Sequence, residues 1–473
     1  MNYKSILFFL GFNLIFFSIF PIFNIIYSVY FDFLLSLDDY IFTLCISLII
    51  GILFFYIGKD SKNNFELLEQ ITFIIIIYLI FPLLISVPYI FSIYDLNFID
   101  AYFESVSGFT TTGFSIFTDI ENIDKPLILW RSSSQWLGGL IFVLITIGTI
   151  GSKQIKIKPS YLISGGASGR NFYNNYNYNF IKILLIYFLL TFFSIFMFSI
   201  VEFRLFDSFN LAFTTISSGG FVPQNNLSSI LKTDIQVFVL SFTLLLPIFN
   251  FFLLYDIFTR QFKFRAYQED IHLILLILIL TLLFYFFIIP NEGFSNVLFS
   301  ITSSISTSGI SNYSSNEDLS LFYILLAICG GSLISTSSGL KYTRIYILLK
   351  TSYQEIYRLV KPINIIDKNL YNSDTKINDQ DVKIAFLVFL FFILSIFVLS
   401  AILTLDNIAF EKSFKISILT LTNTTSSSLY GIDNLNFIDL NYFTKISLII
   451  FMIVGRIEIV ALFFLINRFI FKE

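Results

Sequence analysis

The chain has 473 residues, of which 56% are hydrophobic and 13% charged, with a formal net charge of −3. Soluble domains average about half apolar and about 25% charged residues, so an ordinary soluble protein is excluded and nucleic acid is not expected as a partner. An integral membrane protein remains, in which the position of each charge says more than the sum.

The first apolar segment, roughly residues 6–29, is too long for a secretory signal and no small-residue cleavage site follows it, so it reads as a retained first helix. A bilayer core of about 30 Å needs about 20 apolar residues as helix. Segments of that length lie near 5–29, 40–57, 70–94, 127–151, 178–202, 235–258, 271–289, 319–349, 384–405 and 442–467, which makes ten spans. Shorter apolar stretches near 98–109, 206–216, 293–305 and 410–422 cannot cross a bilayer, but they can enter it and turn back.

With the N-terminus in the cytoplasm, 21 of the 29 Lys and Arg fall on the cytoplasmic side, seven fall outside, and Arg456 falls within a span. An even span count returns the C-terminus to the cytoplasm beside Arg468 and Lys472, so the charge bias and the count agree. The re-entrant stretches then all open to the outside. The expectation is a multi-pass protein of the cell (inner) membrane. The cytoplasmic stretch "KPINIIDKNLYNSDTKINDQDVK" has the composition of a loop, either a docking surface or a solvated linker.

Chemistry-bearing residues are sparse. Cys45 and Cys329 lie inside apolar segments and give neither a disulfide framework nor metal-ligand spacing. His272, the only histidine, opens an apolar segment after "YQED" and reads as an interfacial side chain. The loop acids Glu121, Asp124, Glu317 and Asp318 form no convergent set; they concentrate cations or keep the loops soluble. A membrane-embedded transferase or hydrolase therefore lacks its parts, and a proton-coupled carrier would need carboxylates inside spans that are nearly free of them.

Four Ser/Thr/Gly runs follow the short stretches. They are "TTTG" (Thr110, Thr111, Thr112, Gly113), "ISSG" (Ile216, Ser217, Ser218, Gly219), "STSG" (Ser306, Thr307, Ser308, Gly309) and "NTTS" (Asn423, Thr424, Thr425, Ser426). A residue suited to cap a helix precedes the last residue of each run by 12 or 13 positions: Asp100, Asp207, Asn296 and Ser413. Irregular backbone within a bilayer is tolerated only where it is buried in protein or lines a cavity. Main-chain carbonyls can replace the hydration shell of a cation, hydroxyls can add ligands, and glycine lets successive carbonyls face one side. The short helix before each run aims its C-terminal dipole at the same place. Packing of helices is the alternative for any one run, but packing motifs belong within spans, whereas these four end segments too short to span. A filter of four loops around one axis is the expectation.

These residues resemble the TrkH/KtrB/HKT superfamily of potassium transporters, most closely its TrkH branch. The resemblance rests on "SGFTTTG" with "LWRSSSQWLGG", on "TISSGGF" with "FNFFLLY" and "YQED", on "GGSLISTSSGLKYTR", and on "GRIEIVALFFL". It runs from about residue 98 to the C-terminus, and the two preceding helices suit the TrkH branch. It implies an all-α integral membrane protein of four pseudo-repeats, each a helix, a re-entrant pore loop and a helix, around one central pore and preceded by two extra transmembrane helices. The boundaries expected are 1–68 for the two N-terminal helices, 69–177 for repeat 1, 178–270 for repeat 2, 271–382 for repeat 3 with an intramembrane gate loop, and 383–473 for repeat 4. It also implies potassium uptake, no enzymatic activity, no covalent cofactor, potassium ions bound at the filter, a homodimer, and a cytoplasmic nucleotide-binding regulatory subunit of the TrkA-like type.

Two departures from the family pattern stand out. Ser426 stands where a filter glycine is expected, which makes left-handed backbone costlier there and leaves a sodium-permeable or proton-coupled transporter of the same fold as the second reading. In plant relatives a serine at the first filter's glycine accompanies sodium preference; this chain keeps Gly113. The second departure is in the gate. Residues 319–349 exceed one straight span, and the poor helix formers between Gly330 and Lys341 predict a broken helix whose loop crosses beneath the filter, a kinked helix being the alternative. Gly330, Gly331, Ser335, Thr336, Ser337, Ser338, Gly339 and Lys341 are the gate residues, with Ser337 and Ser338 standing where the family usually has glycines. Arg456 lies mid-span, at a cost of about 2.5–3.5 kcal/mol on insertion scales, and Glu458 cannot share its helix face. It is expected below the filter as an electrostatic barrier; pairing with carbonyls within the bundle is the alternative.

Overall fold

The computed structural model describes residues 3–61, 67–150, 172–259, 267–312, 319–361, 369–371, 377–432 and 435–457. The basic segments at 151–160 and 260–265, Glu317 and Asp318, most of the 361–383 stretch, Glu458, Arg468 and Lys472 lie outside the described residues.

Among the described residues the regular elements are all helical. Helices α1 (Tyr3–Phe17) and α2 (Ile19–Tyr30) make one span of 28 residues, and α3 (Leu37–Gly58) returns against it. Four units follow, each a helix, a short helix and a further helix. The first has α4 (Leu67–Ile85) continued by α5 (Val87–Phe91), then α6 (Phe98–Phe109) and α7 (Lys125–Ile150). In the second are α8 (Phe172–Ile200), α9 (Leu205–Ser217), and the pair α10 (Asp234–Leu245) and α11 (Phe251–Phe258). The third contains α12 (Gln268–Leu283), α13 (Phe294–Ile305), α14 (Ser320–Cys329) and α15 (Tyr342–Val360). The fourth is α16 (Asp379–Thr404), α17 (Phe410–Leu421) and α18 (Tyr442–Ile457).

Among the described residues seven helices are long and apolar enough to cross a membrane, or eight if one bent pair counts as a span. The ten-span expectation differs at three places. Residues 235–258 do not run straight but bend by 106°, because Pro247 has no N–H to continue the ladder and the Asn250 side chain caps a new helix by accepting the Phe252 N–H at 3.0 Å. Residues 319–349 break into α14 and α15, as the Ser/Gly content predicts. The last span is described only as far as residue 457.

Short helices α6, α9, α13 and α17 have 12 or 13 residues, about 18 Å of rise against a core of about 30 Å, so each ends inside the membrane. Asp100, Asp207 and Asn296 do not cap them. They occupy the third helical position, and Ser413 the fourth, while the caps are Asn97, Arg204, Gly293 and Ala409, none with a side-chain bond. Asp100 reaches sideways instead, to Lys445 Nζ at 2.6 Å, both side chains being buried. That ion pair ties unit 1 to unit 4.

The units close into a ring. Helix α9 packs on α7, α10 on α13, α14 on α17, and α18 on α6. Of the apolar window of α7, 94% is buried, against 22% for α3 and for α12, so α7 lies at the centre and the other two on the outside. The centre is polar, contrary to a soluble core. Ser105, Thr302, Ser304 and Thr420 turn their hydroxyls back onto carbonyls four residues earlier at 2.7–2.8 Å, which satisfies them without water. Close approach of the helices needs glycine at two corresponding places. A Cβ on Gly138 would lie 1.9 Å from the carbonyl oxygen of Phe109, the last residue of α6, and one on Gly455 would lie 2.4 Å from that of Leu421, the last residue of α17.

Candidate functional site

The ends of the four short helices define a common register. After each helix one residue turns left-handed: Thr111 at φ 59°, Ser218 at 59°, Thr307 at 60° and Asn423 at 48°. Each donates its N–H to the carbonyl three residues back, at 2.9–3.2 Å. In three units the next residue, Thr112, Gly219 or Thr424, donates to the carbonyl five back, at 2.8–2.9 Å. This is the bonding of a Schellman terminus, here built with Thr, Ser and Asn where glycine is usual. A non-glycine left-handed residue costs about 1–2 kcal/mol, and at three of the four places the side chain makes bonds that offset it. Thr307 Oγ1 accepts the Ser338 N–H at 2.9 Å, Ser218 Oγ meets Thr336 Oγ1 at 3.1 Å, and Asn423 Nδ2 donates to Thr112 Oγ1 at 3.0 Å and Met452 O at 2.9 Å.

This register moves two of the four runs by one residue. The backbone equivalents of Thr110, Thr111, Thr112 and Gly113 are Ser217, Ser218, Gly219 and Gly220 in unit 2, Ser306, Thr307, Ser308 and Gly309 in unit 3, and Thr422, Asn423, Thr424 and Thr425 in unit 4. Ile216 therefore lies inside α9, and its carbonyl accepts from Thr336 Oγ1 at 2.9 Å. Ser426 lies one residue beyond the glycine position, which Thr425 fills. The expected strain at Ser426 does not arise. Gly113 (φ 85°) and Gly309 (φ 69°) are left-handed, but Gly220, Thr425 and Ser426 are not. The sole left-handed residue of run 4 is Asn423, and asparagine is among the side chains that tolerate that region.

The four runs meet. A Cβ on Gly113 would lie 2.8 Å from Gly220 Cα and 2.9 Å from Thr425 Cβ, and one on Gly309 would lie 2.8 Å from the Thr425 carbonyl oxygen. Behind run 1 stands a buried ion pair. Glu104, on α6, accepts from Arg131 Nε at 2.8 Å and from the Ile116 N–H at 2.7 Å, and Arg131 also donates to Ser115 Oγ at 2.8 Å. The Arg131 guanidinium lies 4.2 Å from the centre of the Phe221 ring, which follows run 2. The sequence alone assigned no role to Glu104, Arg131 or Lys445. The only signal for either pair was a charge inside an otherwise apolar segment.

Beneath the runs lies the loop 330–341. Its N–H groups are met by the bend in unit 2: Ser332 donates to Ile248 O at 2.9 Å and Ser337 to Pro247 O at 3.4 Å, while Phe251 donates back to Ile334 O at 3.0 Å. Gly331 packs against the Ile248 carbonyl, and the Ser337 hydroxyl accepts the Gly331 N–H at 2.9 Å. Gly330 (φ 61°) ends α14, and Gly339 (φ 84°) turns the chain toward α15. Two carboxylates of "YQED" hold both breaks. Asp270 accepts the Asn250 N–H at 2.9 Å; Glu269 accepts the Leu333 N–H at 3.1 Å and the Thr343 hydroxyl.

Lys341 is folded into its own loop, donating to Ser332 O and Ser335 O at 3.2 Å each, to Ser335 Oγ at 3.1 Å and to Ser337 O. Arg456 is buried, donates to Ser338 Oγ, and sets its guanidinium 4.0 Å from the centre of the Phe142 ring. No carboxylate pairs with it among the described residues. The loop of unit 3 thus touches units 2 and 3 at Ser218 and Thr307 and unit 4 at Arg456. Lys341 lies 5.5 Å from the Phe142 ring centre of unit 1.

Fold and site together define an all-α integral membrane protein in which four units of helix, short helix and helix close into a ring, preceded by two further helices. No family model matches the chain. It is similar, at 27% identity over 88% of its length and 86% of the relative, to an uncharacterized cation transporter of Methanocaldococcus jannaschii. It is 26% identical to the Trk system potassium uptake protein TrkG of Escherichia coli strain K12, over 89% and 90% of the two chains, and 23% identical to TrkH of Salmonella typhimurium, over 91% and 92%. The crystal structure of the potassium transporter TrkH from Vibrio parahaemolyticus superposes with a TM-score of 0.86 at 22% identity, covering 98% of each chain. The resemblance to the TrkH branch therefore holds in sequence over most of the chain and in fold over nearly all of it.

Proposed function

We propose that this protein takes up potassium across the cell membrane through a channel-like pore, and is a transporter and not an enzyme. The observation that carries the reading is the common register of four half-membrane helices whose termini meet at one axis, each continuing into a Ser/Thr/Gly run. The named relatives are potassium uptake proteins, which agrees with it. Dehydrated potassium is held by carbonyls and hydroxyls of Thr110, Thr111, Thr112, Gly113, of Ser217, Ser218, Gly219, Gly220, of Ser306, Thr307, Ser308, Gly309, and of Thr422, Asn423, Thr424, Thr425. Each short helix adds the negative end of its dipole.

In the same reading the loop from Gly330 to Lys341 is the gate, and Arg456 is the barrier below the filter. The N- and C-termini are cytoplasmic, the chain works as a homodimer, and a nucleotide-binding subunit of the TrkA-like type acts on its cytoplasmic face. The repeats take the boundaries 69–177, 178–270, 271–382 and 383–473. The test is growth of a potassium-requiring host lacking its own uptake systems, supplied with low potassium and then tested for sodium uptake. Rescue at low potassium with little sodium uptake supports the reading. Sodium uptake without rescue would replace it by the sodium-permeable alternative.

A further inference from the structure

Thr425 touches the glycine of each of the other three runs. Its hydroxyl donates to the Gly113 carbonyl oxygen at 2.8 Å. A Cβ on Gly220 would lie 2.3 Å from Thr425 Cβ and 2.7 Å from its Cγ2, so the Thr425 side chain already fills the space beside that glycine. A Cβ on Gly309 would lie 2.8 Å from the Thr425 carbonyl and 3.1 Å from its N–H nitrogen. Units 2 and 4 stand opposite each other in the ring, since unit 2 packs on 1 and 3 and unit 4 packs on 3 and 1. The Thr425 side chain therefore reaches the facing unit and, on the pore reading, lies across the axis.

The position is also unstrained. Thr425 has no left-handed φ, whereas Gly113 and Gly309 do, so the backbone of unit 4 accepts a side chain where units 1 and 3 accept none. The consequence for a cation is twofold. A methyl group occupies the path at the glycine layer, and the hydroxyl takes up the Gly113 carbonyl that would otherwise face the ion. A dehydrated cation needs those oxygens free to replace its water.

We infer that Thr425 sets the size cut-off and the throughput of the filter: each ion passes only when this side chain swings off the axis and releases the Gly113 carbonyl. The inference rests on the pore reading given above. On it, Thr425→Gly opens the layer, Thr425→Ser keeps the hydroxyl but removes the methyl beside Gly220, and Thr425→Val keeps the bulk but cannot donate to Gly113.

The experiment is initial-rate uptake of K+ and Cs+ by the full chain reconstituted in lipid vesicles, wild type against the three variants at matched incorporation. Loss of a hydrogen bond of ordinary net strength corresponds to about a fivefold change. Thr425→Gly is expected to raise K+ uptake by about fivefold or more and to raise Cs+ uptake more than K+ uptake. Thr425→Ser moves both rates the same way by less, and Thr425→Val leaves the Cs+ to K+ ratio at or below that of the wild type. A Gly or Ser variant with wild-type rates and ratio, alongside a wild type that transports, overturns the inference alone. Flux absent from wild type and variants alike removes the pore reading and the inference with it.

Discussion

The Glu104–Arg131 pair offers the sharpest test of how the first run is held in place. Both side chains are at most 1% exposed, and the carboxylate meets Arg131 Nε at 2.8 Å, the Ile116 N–H at 2.7 Å and Ser115 Oγ at 3.3 Å. Removing one partner of a buried, hydrogen-bonded ion pair costs about 3–5 kcal/mol, because the other charge stays buried alone. Glu104→Ala belongs at the upper end of that range, since Arg131 Nη1 already lacks a partner among the described residues and the Ile116 N–H would lose its own. Glu104→Gln keeps the shape and one acceptor, so about 2–3 kcal/mol is expected. Arg131→Met leaves the carboxylate unpaired and should cost as much as Glu104→Ala. With both charges gone, Glu104→Gln/Arg131→Met should cost less than the sum of its single changes by at least about 2 kcal/mol. The assay is thermal unfolding of the detergent-solubilised protein, run as a double-mutant cycle, with cation uptake followed in parallel. Costs that add to within about 0.5 kcal/mol would show that the two groups do not act as a pair.

Glu269→Gln weakens the anchor on Leu333 and Thr343 by the strength of charge-assisted bonds, about 1.5–3 kcal/mol, so basal cation leak through vesicles without any partner protein should rise about tenfold or more; a leak equal to wild type would dissociate Glu269 from the loop. On the proposed pore reading, Arg456→Gln should increase cation flux by removing the charge placed below the filter, and unchanged flux in a correctly assembled variant would reject the barrier. Gly138→Ala places a methyl where only 1.9 Å separates it from the Phe109 carbonyl. Overpacking of this kind costs about 1–3 kcal/mol, and rigid backbone puts this case at the top, so membrane yield and melting temperature should both fall; Gly455→Ala should follow with a smaller loss. A Gly138→Ala protein as stable as wild type would mean that α6 and α7 do not need their close approach.

Much of the architecture is written locally in the chain. Segments of 12 or 13 apolar residues cannot span, so α6, α9, α13 and α17 were legible from length alone, and the Ser/Gly content between Gly330 and Lys341 announced a break. The one-residue register of two runs was not legible, because "ISSG" and "NTTS" look like the others while the helix terminus, not the letter pattern, fixes which residue turns left-handed. The bend at Pro247 carried a signal, a proline before Asn250, that an uninterrupted apolar run concealed. Partners such as Asp100 and Lys445, 345 residues apart, depend on ring closure, which no local pattern encodes. At Asp100 the expected cap failed for a related reason: its carboxylate is recruited across the ring rather than to its own helix end.

The bend of unit 2 and the loop of unit 3 have broken backbones whose loose ends satisfy each other. The carbonyls of Pro247 and Ile248 and the N–H groups of Ser332 and Ser337 have their match across the contact, and all four residues are buried. If the loop slides away, those groups must find water at once, since an orphaned peptide group in hydrocarbon costs several kcal/mol. On the proposed gate reading, unlatching of this contact and flooding of the passage below it are then a single event: the passage cannot widen while dry, and the moment it is wet the latch has already let go.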